Sequence, residues 1–505
     1  QGSADVYRGG GFAEVEEGPR PVSLELQNLH PSNTYEYLLC FGGEGAARDP
    51  GATHACHGPH KFNTAKAPGE EFTFTVFSDS EMRVNKKMVG HDSPYLLSQS
   101  FKGAASENPD LHFDIGDFNM NDMFSNKDAS FEERVLIELN KRELYAPYLA
   151  SIPIFMARGN HEGEFGFNMY NQSQSLYQTG DDMPTTSARA RKAVFNNPEP
   201  DHFYTGNEEE YPFVGKLQNY FAFEWGDALF VTLDPYWPTK ECEWPNGETT
   251  DEKNDDGKHE DGSIPLKKLI CSPAGWQWTL GQAQYDWLTE TLEDSDANHK
   301  FVFIHNFFKP RGGASDIPFF EWGGYGINKP DDGTPGEWEF DTMRPGWAKP
   351  VHQLLVDNNV DVVMHGHDHV WAFEPQEEEG IIYQAIPKPN QLNWNQTIDN
   401  CDDGEYVNCK PSSGYTRVAV AEGSFRVEYV REALDPATNL RKEARSGDVM
   451  CGYTVTERGA NETHLIQADG SCFTSQWSSW QDGNGGEEAQ LLAAQQWEEK
   501  REEDR

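Results

Sequence analysis

Five short blocks of this chain place carboxylate, imidazole and carboxamide side chains directly behind runs of apolar residues. They are Ser78-Asp79-Ser80-Glu81, Gly116-Asp117, Arg158-Gly159-Asn160-His161-Glu162, the single His305, and Gly366-His367-Asp368-His369. Such oxygen and nitrogen donors suit hard and borderline divalent cations. Two cations held roughly 3.5 to 4 Å apart can make a nucleophile from water near neutral pH and offset charge on phosphoryl oxygens, the two needs of phosphoester hydrolysis. No single helix or turn can surround two ions, so the donors must come from separate strand ends. A lone Gly-Asp carries no such meaning; five blocks in order, each after an apolar run, do.

The elements that would position these blocks are legible as short apolar runs over 72–77, 111–115, 152–157, 220–225, 228–233, 300–304, 360–364 and 381–386. Helical stretches fall between several of them, notably 131–150, 282–293 and 348–358, so the middle of the chain reads as an α/β layer structure. Ligands then belong just past strand ends. The segments 163–218, 236–275 and 306–348 are too long for simple connections and are expected to wall a cleft. Residues 415–431 and 448–455 add further strands. A polar segment from 473 leads into a charged helix or tail ending at 505, where Leu491, Leu492 and Trp497 offer a docking face for a partner subunit.

The order of the blocks resembles the signature D-x-H, G-D, G-N-H-(D/E), a lone His and G-H-x-H of the calcineurin-like metallophosphoesterases, over most of residues 70–430. The resemblance implies a four-layer αββα sandwich for residues 69–472 and a centre of two divalent ions, drawn from Mn, Zn, Fe, Mg or Ca. Carried over by position, it implies that Asp79 and His369 bind the first ion, that Asn160, His305 and His367 bind the second, and that Asp117 bridges both. His161 is implied as a catalytic residue that faces the phosphate and leaving group, where an imidazole donates a proton or hydrogen bond. A water or hydroxide between the ions would attack phosphorus. Arg158, Lys309 and Arg311 lie beside ligand blocks, and Arg158 and Arg311 are the expected phosphate contacts. His365 reads as a core histidine.

Two positions depart from the pattern. Glu81 stands where the signature has histidine; it either supplies an oxygen to the first ion, favouring Mn, Mg or Ca, or points away and weakens that site. Met120 stands where the purple acid phosphatases, which this chain otherwise resembles, have tyrosine. The stretches Tyr220–Asp227, Leu233-Asp234-Pro235, Arg311-Gly312-Gly313 and Ile382-Tyr383-Gln384 resemble secreted bacterial metallophosphoesterases, which gives a reaction class and leaves open mono- or diester preference.

Ahead of the blocks, residues 22–39 alternate apolar and polar around Pro31-Ser32-Asn33 and read as two antiparallel strands. With Phe62-x-Thr64 they resemble the later strands of a fibronectin type III sandwich, so a small, incomplete all-β domain is expected over residues 1–68. His54, His57 and His60 read as exposed loop histidines.

Composition narrows the partners. Eighty-four acidic against 41 basic residues give a formal charge of −43, which repels nucleic acid and anionic lipid. No run approaches the ~18 apolar residues of a membrane span. The partner is expected to be a small phosphoester, with self-association or surface assembly as a further role. Eight cysteines without a C-x-x-C spacing suggest disulfides, with sequence neighbours paired: 40 with 56, 242 with 271, 401 with 409, 451 with 472. Gln1 stands first, with no hydrophobic leader, as in a mature secreted or cell-surface chain. Asn171, Asn395 and Asn461 lie in N-x-S/T triplets. The competing expectation is a surface or assembly protein that keeps the hydrolase fold with weak or no catalysis.

A thioether at position 120 cannot form a tyrosinate bond to ferric iron. The purified protein is therefore expected to show no charge-transfer band in its visible spectrum; a purple or pink preparation would contradict this.

Overall fold

The computed structural model describes residues 29–41, 55–81, 93–122, 129–171, 179–240, 275–307, 313–327, 334–391, 401, 406, 408–432, 447–456 and 466–468, together with Leu26. Lys309, Arg311, His54, Asn395, Asn461, Cys242, Cys271, Cys472 and the 473–505 tail lie outside them.

Two twisted sheets face each other. In the first, Phe72–Phe77 runs parallel to Leu111–Asp114, which runs parallel to Ile154–Met156. On its other side Phe72–Phe77 pairs antiparallel with Gly414–Ala421, followed by Ser424–Arg431, Val449–Thr456 and Ile466–Ala468. In the second, Ala228–Thr232, His299–Phe303, Val362–His365 and Ile381–Ala385 run parallel. Antiparallel strands finish both edges: Val370–Gln376 and Cys409–Pro411 on one, Phe221–Trp225 and Thr205–Gly206 on the other.

The period-2 alternation of a strand explains the layering. Phe72, Phe74 and Val76 enter the core between the sheets, whereas Phe77 packs on the outer face. Phe301 and Phe303 likewise point inward, and Val302 and Ile304 outward. The helices Pro94–Ser106 and Phe131–Leu149 cover the first sheet through Leu97, Phe101, Leu144 and Tyr145. Gly281–Asp294 and Val351–Asp357 cover the second through Tyr285, Leu288, Leu354 and Leu355. The result is the four-layer αββα sandwich expected from the sequence. Local signals start the helices: Ser130 and Glu133 form a capping box on Phe131–Leu149, and Ser93 caps Pro94–Ser106, which opens on its proline.

Several readings change. Thr34–Phe41 pairs with Ala55–Asn63, a partner the expected turn at Pro31-Ser32-Asn33 did not anticipate; the run 22–28 lies outside the described residues except for Leu26. His57 and His60 sit on that second strand, not in a loop, with His57 Nδ1 2.9 Å from His60 Nε2. The pair is tied to the sandwich by Tyr37 Oη donating to the Ala150 carbonyl (2.5 Å) and by Asn63 Nδ2 donating to Asp110 Oδ1 (2.8 Å). Met183–Val194 is a helix inside a segment read as cleft wall. Its buried face is polar and small, built from Thr185, Thr186, Ser187, Ala188 and Arg191, so no apolar stripe announces it.

Cys401 and Cys409 form a disulfide. Cys40 and Cys56 stand opposite each other in strand register, and Cys56 and Cys451 each belong to a disulfide. Among the described residues no helix is long and apolar enough to cross a membrane.

The sheets are joined by aromatic contacts. Phe113 lies 4.2 Å from Phe303, ring centroid to centroid and 8° from parallel, and also stacks on Phe155 and Phe230. Phe113→Ala is expected to lower unfolding free energy by about 3–5 kcal/mol, measured by denaturant titration; a loss below about 1 kcal/mol would contradict this central role.

Candidate metal centre at the strand ends

Each block begins where a parallel strand stops. Asp79 and Glu81 follow Phe72–Phe77, Asp117 follows Leu111–Asp114, and Asn160 and His161 follow Ile154–Met156. From the facing sheet, His305 follows His299–Phe303, and His367 and His369 follow Val362–His365. Backbone bonds knit these turns together: Asp79 N to Gly116 O (2.9 Å), Glu81 N to Asp117 O (2.8 Å) and Gly366 N to His305 O (2.8 Å). The His367 amide donates to Asp79 Oδ2 at 2.9 Å, linking the two sheets.

The turns are tight and left-handed. Among the described residues twelve non-glycine positions have positive φ, and Asp79 (62°), Glu81 (48°), Asp117 (52°), His367 (71°) and His369 (60°) are five of them. Such conformations cost of order 1–3 kcal/mol each and persist where surrounding contacts hold them. Neighbouring glycines permit the close approach. A Cβ on Gly366 would fall 1.9 Å from Ser78 Oγ, and one on Gly159 would fall 2.3 Å from the Asp117 amide nitrogen.

The side chains converge in two donor groups. Asp79, Glu81 and His369 offer atoms within 4.8 Å of one another, and so do Asp117, His305 and His367. Glu81, Asp117 and His161 form a third such grouping that joins the first two. His369 Nε2 is 3.0 Å from Glu81 Oε1 and 3.4 Å from Asp79 Oδ1. His305 Nδ1 lies 2.9 Å from the Ile115 carbonyl, which favours a proton there and leaves Nε2 as the lone-pair nitrogen. That Nε2 is buried, 3.0 Å from Asp117 Oδ2 but out of line for a hydrogen bond. Asn160 Oδ1 is 2.8 Å from His367 Nδ1. Buried carboxylates and imidazoles with an orphaned ring nitrogen fit a pair of divalent cations.

The electrostatics agree. Burial disfavours the charged imidazolium of His305, yet Asp117 and Asp79 override it and push this group up to about 10. His161 is likewise pushed up to about 10, by Asp117 and Asp122 against burial. Burial and Lys388 oppose charge on His369, but Glu81 and Asp79 raise it to about 9. Burial and the nearby His305 instead hold His367 down at about 4. The cavity attracts positive charge.

His161 lies at the rim with its side chain 16% exposed. Its Nδ1 is 2.9 Å from Asp122 Oδ1 and its Nε2 3.8 Å from Asp117 Oδ2. Asp122, which no motif flagged, thus fixes the ring so that Nε2 faces the cleft.

Arg158 is a correction. Expected to meet a substrate phosphate, it is fully buried with Nη1 3.3 Å from Glu164 Oε1. Arg191 also grips Glu164, with Nε on Oε1 at 2.7 Å and Nη2 on Oε2 at 3.0 Å. An arginine bound this way braces the block from beneath. His365 is buried as read, its ring against Phe307, and Arg311 lies outside the described residues. Met120 is buried beside the Gly116-Asp117 turn.

Sequence reasoning also passed over Glu162 and Lys388. The Glu162 carboxylate accepts from the amides of Asp117 (2.9 Å), Phe118 (2.8 Å), Asn119 (3.2 Å) and Gly159 (2.5 Å), so one side chain holds two ligand turns in place. Its position after Asn160-His161 was the available signal. Lys388 Nζ lies 2.6 Å from Glu81 Oε2.

A family model described as calcineurin-like phosphoesterase matches residues 72–371. The structure of PhoD is similar with a TM-score of 0.52 at 15% identity, over 95% of this chain and 85% of that one. A purple acid phosphatase from yellow lupin (Lupinus luteus) seeds gives a TM-score of 0.49 at 13% identity, over 85% of this chain. This chain spans 61% of the lupin protein's length. A dimetal phosphatase from Danio rerio gives 0.36 at 15% identity, over 70% of this chain and 95% of that one. None of the curated proteins compared with the sequence matches it. At these identities the structural likeness speaks for the fold alone.

Removing the Glu162 carboxylate leaves several buried amides without an acceptor, at about 1–3 kcal/mol each. Glu162→Ala is expected to cost at least about 3 kcal/mol of stability and to reduce the protein's retention of Mn²⁺ after gel filtration. Unchanged stability and retention would contradict the anchoring role.

Proposed function

The chain belongs to the calcineurin-like phosphoesterase family, and from that premise we propose that it hydrolyses phosphomonoesters or phosphodiesters with two divalent cations, outside the cell or at its surface. The observation that carries the reading is the pair of donor groups, Asp79–Glu81–His369 and Asp117–His305–His367, brought together from both sheets.

In this reading Asp79, Glu81 and His369 hold the first cation, and His305, His367 and Asn160 the second. Asp117 stands between them, with Oδ2 toward His305 and Oδ1 accepting from the His161 amide at 2.7 Å. The cations, when bound, supply an activated water and neutralise phosphoryl oxygens. Everything else falls to the chain. The buried carboxylates and the Glu162-anchored turns fix the donors before substrate arrives, so little reorganisation is needed. His161, oriented by Asp122 through Nδ1, holds a proton on Nε2 at the rim and donates it to the leaving oxygen. With Glu81 in the first group, oxygen-preferring Mn, Mg or Ca are favoured there over Zn or Fe.

The formal charge of −43 supports a small phosphoester over a polyanion. The disulfides support an oxidising, extracellular setting.

The test pairs elemental analysis with turnover of aryl phosphate mono- and diesters. Wild-type protein is expected to carry two divalent ions per chain and to turn over at least one ester class, and Asp117→Asn to lose turnover to background. A wild-type protein that binds no divalent ion and is inert would overturn the proposal in favour of a surface or assembly role for the same fold.

A further inference from the structure

Lys388 belongs to none of the five blocks, yet its ammonium lies 2.6 Å from Glu81 Oε2 with its side chain 2% exposed. An ammonium taken out of water is costly unless paired, and several groups are committed to placing this one. The Lys388 amide donates to Ser412 Oγ at 2.9 Å, and that hydroxyl donates to the His369 carbonyl at 2.6 Å. Asn390 Nδ2 donates to the Ser80 carbonyl at 2.8 Å, and Ser100 Oγ to the Pro389 carbonyl at 2.6 Å. The turn carrying Lys388 is therefore tied to both blocks of the first donor group. The two oxygens of Glu81 are consequently not equivalent: Oε1 faces His369 Nε2 at 3.0 Å, while Oε2 is held by Lys388.

We propose that Lys388 is a built-in counter-charge that lets a glutamate serve the first cation position in place of a neutral histidine, cancelling its extra charge and leaving one of its oxygens as the donor. This rests on the dinuclear reading above. A histidine at position 81 would offer one nitrogen and no charge. Glu81 alone would add a third carboxylate beside Asp79 and Asp117 and could grip a cation through both oxygens. With Lys388 in place, the pair again offers one donor atom and no net charge. Lys388 is a positioning residue: it acts on the cation through Glu81.

The proposal gives a sign that a merely structural lysine would not. Removing a positive charge a few ångströms from a dication, and freeing a second carboxylate oxygen, should tighten binding of hard ions on the order of ten- to a hundredfold. Loss of a structural brace would weaken binding of every ion.

Metal-stripped full-length wild-type protein, Lys388→Met, Lys388→Arg and the double variant Glu81→His/Lys388→Met are titrated calorimetrically with Mn²⁺ and with Zn²⁺. Lys388→Met is expected to bind the first-position Mn²⁺ at least about tenfold tighter, with a smaller gain for Zn²⁺, and Lys388→Arg to stay within about threefold of wild type. Because Lys388→Met strips the buried Glu81 Oε2 of its partner, which works against folding, the double variant, which keeps net charge and donor number, carries a second arm: it is expected to fold and to bind two cations, with preference moved toward Zn²⁺. Equal or weaker Mn²⁺ binding by folded Lys388→Met, or loss of the first cation from the double variant, overturns the inference while wild-type binding of two cations leaves the dinuclear reading standing. Wild-type protein that binds no cation overturns both.

Discussion

Glu81 lies within 4.8 Å of Asp79 in one donor group and of Asp117 in another, and all three carboxylates are buried. Like charges at that spacing, out of water, repel unless positive charge lies between them. The surrounding structure answers this constraint. His305, His161 and His369 have their proton affinities raised by the carboxylates, and Lys388 pairs with the outer oxygen of Glu81. A site with three buried carboxylates so close together and imidazole nitrogens among them is built for divalent cations, and the chemistry proposed for the chain follows from that.

Holding such a site open requires that the backbone resist collapse. The two-sheet sandwich brings the ends of parallel strands from both sheets to one edge, where Asp79 and Asp117 meet His305, His367 and His369. Left-handed turns at five of the donor positions aim side chains into the shared space. The local strain is offset by the bonds from Glu162 to four backbone amides and by the aromatic packing of Phe113 against Phe303 beneath. Function and fold meet in these turns: the contacts that stabilise them also fix the donor geometry.

Much of this was legible in the residue pattern. The apolar runs preceding each block fall on strands, because a strand buried on both faces reads as a continuous apolar stretch; Val362-Val363-Met364 and Phe301-Val302-Phe303 are examples. Strand order along the chain, with helices between, was enough for an α/β layer structure, while the αββα layering followed from the resemblance carried by the five blocks. The supporting groups were hidden for a different reason. Asp122 and Lys388 act through partners distant in sequence, Asp122 across 39 residues and Lys388 across 307, and no local spacing encodes such a contact. Arg158 sits one residue from Gly159 in a ligand block, which suggested substrate; only the fold shows that Glu164 captures it. The helix Met183–Val194 escaped because its buried face is polar.

Anomalous diffraction from crystals grown with Mn²⁺ tests the central claim most directly. The account predicts two peaks roughly 3.5 to 4 Å apart, one ringed by Asp79, Glu81 and His369, the other by Asn160, His305 and His367, with Asp117 touching both. Absence of any peak among these side chains, or a lone peak elsewhere on the acidic surface, would contradict it.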